Sequence, residues 1–93
     1  MATKTFNIGE CAIGGRIKVT TSKTKISISI LDWETMKPLE GHSKSFSVQA
    51  GKRHVVNFLE DRTTFYWSSV ISDWINANTD SKSYNARTAD LWW

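Results

Sequence analysis

The chain has 93 residues, 40% of them apolar, and a formal net charge of +3. That length suits one domain and excludes two, and the apolar share excludes wholesale disorder. The charge permits an anionic partner without requiring one, and the single cysteine, Cys11, excludes an intrachain disulfide.

Residues 5–9 alternate, with Phe6 and Ile8 opposite Thr5 and Asn7, and predict a short first strand. Gly14-Gly15 marks a turn or bulge. Residues 16–21 predict a second strand, with Ile17 and Val19 on one face and Arg16, Lys18 and Thr20 on the other. Ser22, Lys23 and Thr24 make a hairpin-like turn. Residues 25–33 carry the clearest strand signal, because Ile26, Ile28 and Ile30 alternate with Lys25, Ser27 and Ser29. Residues 32–43 hold the single proline, Pro38, together with Gly41, and read as a loop or wide hairpin connection. Residues 43–49 alternate again, with Phe46 and Val48 opposite Ser45, Ser47 and Gln49. Residues 53–59 fit two readings. Val56 and Phe58 can face inward on a fifth strand, or Val55, Val56 and Leu59 can share a helix face. Gly51 followed by a β-branched pair favours the strand.

Residues 61–78 are the one long helical signal. Trp67, Val70, Ile71 and Trp74 fall at i, i+3, i+4 and i+7. With Tyr66 and Ile75 they predict an apolar half, and Ser68, Ser69, Ser72 and Asn76 an exposed half. Asp61, Thr63 and Thr64 are residue types that cap helix starts. The polar tail, residues 79–93, ends in Leu91, Trp92 and Trp93, which are expected to pack on this domain, a neighbouring copy or a partner. The expected fold is α+β. An antiparallel sheet of four or five strands within residues 3–59 packs on one C-terminal amphipathic helix, with an aromatic tail, and residues 1–93 form one compact domain.

Chemistry-bearing motifs are scarce. Cys11 has only the distant His42 and His54 as partners for a nucleophile. The same three residues lack the close ligand pairs of a structural zinc site. Asp32 and Glu34, which bracket Trp33, read as solvated carboxylates at a loop mouth. Gly14-Gly15 lacks the following lysine and helix of a phosphate-cradling loop. The expectation is a non-enzyme without metal or cofactor. Charge is more informative. Lys4, Arg16, Lys18, Lys23 and Lys25 face Glu10 alone in residues 1–31. Strand parity puts Arg16, Lys18 and Lys25 with Ser27 and Ser29 on a basic, hydroxyl-rich outer face.

Two functions follow. The first is a small protein-binding module with Trp33, Phe65, Trp92 and Trp93 as contacts, an inhibitor or adaptor of a host complex of the kind phages and mobile elements encode. The alternative is a nucleic-acid-binding module using Arg16, Lys18, Lys23 and Lys25. The aromatic content departs further from average composition than the charge does, and places protein binding first. A homodimer is compatible with either. The longest apolar run falls short of the ~20 residues of a membrane span, and the N-terminal residues lack a signal-peptide core, so a cytoplasmic location, the host's if phage-encoded, is expected.

Overall fold

The computed structural model describes residues 2–48 and 52–79. The expected aromatic tail, with Leu91, Trp92 and Trp93, lies outside the described residues. Four strands, β1 (Ala2–Asn7), β2 (Gly15–Thr21), β3 (Lys25–Asp32) and β4 (Pro38–Ser47), form one antiparallel sheet in the order β1-β2-β3-β4. A 3-10 turn over Gly9–Cys11 lies between β1 and β2. Two helices follow, α1 (Lys52–Glu60) and α2 (Phe65–Ala77). The α+β class and the antiparallel sheet are as expected.

Register creates the core. Ile17 stands opposite Ile30, Val19 opposite Ile28, and Ile26 opposite Phe46. The isoleucines and Val19 are fully buried and Phe46 nearly so. Their strand neighbours Lys18, Thr20, Ser27 and Ser29 share the other face. A slip of one residue would turn the whole set over, which fixes the pairing.

The helices cover the apolar face. Phe58 of α1 meets Phe46 of β4 edge-on at 5.7 Å, and Trp74 of α2 meets Phe6 of β1 at 6.0 Å. The first helix therefore covers the β4 side and the second the β1 side. The Thr21 hydroxyl donates to the Asn78 carbonyl at 3.3 Å and holds the end of α2 against β2. Arg62 ties α1 to β4. Its guanidinium lies 3.9 Å from the Phe58 ring centre and donates to His42 Nδ1 and to the Phe58 and Gly41 carbonyls.

Several expectations are corrected. Residues 53–59 are helix, not a fifth strand, so the sheet packs on two helices rather than one. Val55, Val56, Phe58 and Leu59 are buried while Arg53, His54 and Asn57 are exposed, a helical pattern that a pleat cannot produce. Burial on a second layer has overridden the strand preference of the Val55-Val56 pair. The segment read as a loop over 32–43 holds only a short turn, and β4 begins at Pro38. A proline as the first residue of an edge strand removes no interior ladder bond. A bulge between the pairings of Ser29 and Leu31 absorbs the extra length, and Gly41 there takes φ +81°. The second helix begins at Phe65, not at Asp61. Thr64 caps it, its hydroxyl accepting from the Trp67 amide.

The buried face of α2 also differs. Ser68, Ile71, Ser72 and Ile75 are fully buried, Trp67, Val70 and Trp74 are half-buried, and Tyr66 is exposed. The face has turned by roughly a quarter turn from the aromatic stripe. With α1 alongside, α2 has two neighbours to satisfy, and small serines one turn apart permit a close approach.

Both edge strands carry a lysine on the core-facing parity. Lys4 stands opposite Val19 and Lys44 opposite Ile28, each exposed and with its ammonium beside the ring of Phe6 or Phe46, at 5.1 and 5.3 Å. Inward-facing charge on an edge strand opposes pairing with another chain. Among the described residues no helix is long and apolar enough to cross a membrane.

The burial pattern ranks substitutions in a testable way. Ile71→Ala or Ile75→Ala should cost about 2–5 kcal/mol and lower the melting temperature by at least ~10 °C. Trp67→Ala, at a half-buried site, should cost less than either. Ser72→Ala should raise stability by about 1 kcal/mol, since the buried Ser72 hydroxyl has no hydrogen-bond partner. Thermal melts of the four variants check the order. A larger loss from Trp67→Ala than from the isoleucines would restore the aromatic stripe as the core.

Candidate interaction surface

The antiparallel register brings the end of β1, the start of β2, the end of β3 and the start of β4 to one end of the sheet. An isolated bridge between Ala12 and Thr63 brings the α1–α2 turn to the same end, and α2 begins two residues later. Every exposed large apolar side chain among the described residues lies here: Ile13, Trp33, Met36, Phe65 and Tyr66. Their exposures run from 47% at Met36 to 68% at Tyr66, too high for core residues that happen to reach the surface. Singly, such residues are ordinary, but here all five stand at one end.

Trp33 is held by its neighbours. It sits on the β3–β4 turn with its ring against Gly15. A Cβ at Gly15 would lie 2.9 Å from the ring, and Gly15 has φ +88°, a conformation that favours glycine. The Arg16 guanidinium stacks over the ring at 4.3 Å, and its Nη1 donates to Met36 Sδ at 3.1 Å. Arg16 pairs with no carboxylate among the described residues, and its buried Nε has no partner.

The turn beneath Trp33 is organised by Asp32. Its Oδ1 accepts from the backbone amides of Glu34 and Thr35, both at 2.9 Å. The amides of Thr35 and then Glu34 hold the Asp32 carboxyl below its usual range. The carboxylate that looked like a loop-mouth bystander therefore builds the platform for the neighbouring indole.

Lys18 and Lys25 fall on a different surface, which Arg16 joins to the end carrying Trp33. Arg16, Lys18 and Lys25 stand opposite Leu31, Ser29 and Ser47, all on the face away from the helices. Lys23 is exposed in the β2–β3 turn at the opposite end from Trp33. A shallow depression of about 300 Å³ in this face is lined by Thr5, Lys18, Thr20, Ser27 and Ser29, with Leu31, Met36 and Pro38 at one side. Hydroxyl pairs cross the strands at 3.2 Å, Thr3 with Thr20 and Ser27 with Ser45.

Of the residues expected to bind protein, Trp33 and Phe65 come to the same end, while Trp92 and Trp93 lie outside the described residues. Sequence reasoning missed Ile13, Met36 and Tyr66. Ile13 and Met36 are lone apolar residues in irregular segments, where no periodicity flags them, and Tyr66 belonged to the stripe read as buried. Cys11 packs partly buried against the core, and His42 accepts from Arg62. Among the described residues no cluster of three or more His, Cys, Asp or Glu could hold a metal ion. No family model, curated protein or solved structure matches the chain.

Two outcomes test this geometry. Gly15→Ala strains the backbone and pushes on the indole, and should cost about 1–3 kcal/mol while exposing Trp33 to a soluble quencher. Unchanged melting and quenching would mean that the indole is not seated on Gly15. Acid should loosen the turn. A lowered carboxyl contributes stability that is fully present above its unfolded-state value and is lost as pH falls through the lower folded value. Asp32→Asn should therefore melt earlier than the wild type near neutrality, with the difference shrinking towards about pH 2. A gap of constant size across that range would rule out the Asp32 carboxylate as its source.

Proposed function

We propose that the protein is a small non-catalytic module that binds a partner protein through the end carrying Trp33, Phe65, Tyr66, Ile13 and Met36. The observation behind this reading is the gathering of every exposed large apolar side chain of the described residues at one end. Trp, Tyr and Arg dominate interface hot spots, and Trp33 stacked with Arg16 offers two of them as one unit. Because Gly15 and Arg16 already hold the indole, docking costs little side-chain entropy. The lysines on both edge strands disfavour adding a partner's strand to the sheet, so recognition runs through side chains. A rigid apolar tip on a small domain suits an inhibitor or adaptor that plugs into a larger complex, the kind of role encoded by phages and mobile elements.

Pull-down from the source cell after nuclease treatment supplies the partner for the test. Trp33→Ala and Phe65→Ala should each weaken binding by about 2 kcal/mol, roughly 30-fold, without a matching loss of melting temperature. A partner retained at wild-type affinity by the double variant would overturn the reading.

A further inference from the structure

We propose that the outer face of the sheet binds single-stranded nucleic acid. Both helices lie on the opposite face, and among the described residues Met36 and Pro38 border this one beside the buried Leu31. An antiparallel sheet left open on one side normally shows a polar face, and this one has a specific chemistry. It presents hydroxyls from Thr5, Thr20, Ser27 and Ser29 around Lys18, with Arg16 and Lys25 on the same parity. The only acidic residue of β1, β2 and β3 is Asp32. Its register places it opposite Gly15 on the other parity, and its carboxylate is occupied by backbone amides. Glu34 and Glu40 lie beyond the face's centre, in the β3–β4 turn and on the edge strand. The face is thus cationic and hydroxyl-rich, the combination that meets phosphate oxygens through charge and hydrogen bonds together.

The cations form a line. Arg16 and Lys18 are two residues apart on β2, about 7 Å. Lys25 lies four residues along β3 from the partner of Lys18, a further ~13 Å. The line ends at Trp33 beside Arg16, where the exposed half of the indole offers an unpaired base an aromatic contact. Among the described residues the buried Nε of Arg16 has no hydrogen-bond partner, and a phosphate oxygen would supply one.

The other occupants fit less well. A second copy stacked face to face would set Lys18 and Lys25 against their own kind with no carboxylate to neutralise them. A lipid surface would meet hydroxyls where it needs apolar insertion. A duplex offers its phosphates, but its bases are stacked away from Trp33.

The test is fluorescence anisotropy with a labelled single-stranded oligonucleotide of about 15 residues, titrated against salt. Three phosphate contacts at ~0.7 each predict a slope of log affinity on log salt of about −2. The Lys18→Glu, Lys25→Glu double variant should lose at least tenfold in affinity at low salt and show a flatter slope, with its melting temperature confirming the fold. Trp33→Ala should weaken binding about tenfold with the slope unchanged. Phe65→Ala, away from this face, should bind as the wild type does, which separates this proposal from the protein-docking reading. Four results would each overturn it: no binding at low salt, wild-type affinity and slope in the charge-reversed variant, equal affinity for a duplex of the same sequence, or equal affinity for polyglutamate.

Discussion

The pairing of Ile17 with Ile30, Val19 with Ile28 and Ile26 with Phe46 is the constraint on which everything else depends. Side chains on a regularly paired strand alternate faces, so one register decides both surfaces of the sheet at once. Every aliphatic residue committed to the inside commits a lysine, serine or threonine to the outside. A domain this small has a thin stability margin, and five of its fully buried aliphatic residues, Ile17, Val19, Ile26, Ile28 and Ile30, lie on that one inner face. The helices follow as the lid that this face requires. The polar outer face is the other half of the same choice.

The strands were legible because that alternation is local. Three adjacent pairs of β-branched and polar residues in β3 identify it without any knowledge of the fold. The second helix was legible as an element for the same reason, but its orientation was not. Which residues of α2 are buried depends on α1, and α1 was hidden behind the strand preference of Val55 and Val56. Once α1 is a helix, Ser68 and Ser72 become packing residues, and the aromatic flank is free to lean over the β1 side, where Trp74 meets Phe6. One misread segment therefore carried a second error with it. The start of β4 failed differently. Pro38 and Gly41 are sound loop signals, yet an edge strand tolerates the first at its opening and a bulge uses the second.

The interaction end shows the limit of pattern reading more sharply. Trp33 and Phe65 stand out by residue type, and both reach the same end. Nothing in the spacing says that Gly15 leaves room for the indole, that Arg16 stacks on it, or that Asp32 organises the turn below. Those relations join β2 to a turn some seventeen residues away in sequence, through contacts that only the hairpin creates. The glycine pair was visible as a punctuation mark. Its positive φ and its closeness to a side chain are tertiary facts.

The two surfaces share one residue, and that sharing follows from the fold. Arg16 is the first outward-facing residue of β2, so it belongs to the sheet face by parity and to the end of the molecule by position. Its guanidinium lies against Trp33 and Met36, and its charge adds to Lys18 and Lys25. Lys4 and Lys44 stand on the edge strands and disfavour the addition of another strand. Lys18, Lys25, Phe65 and Tyr66 are exposed and make no part of the buried cluster. Substitutions there can alter binding while leaving the fold intact, whereas the same substitutions on the isoleucine face would be read only as unfolding. The separation of the two sets is a direct consequence of strand parity, since a residue cannot serve both faces of the sheet.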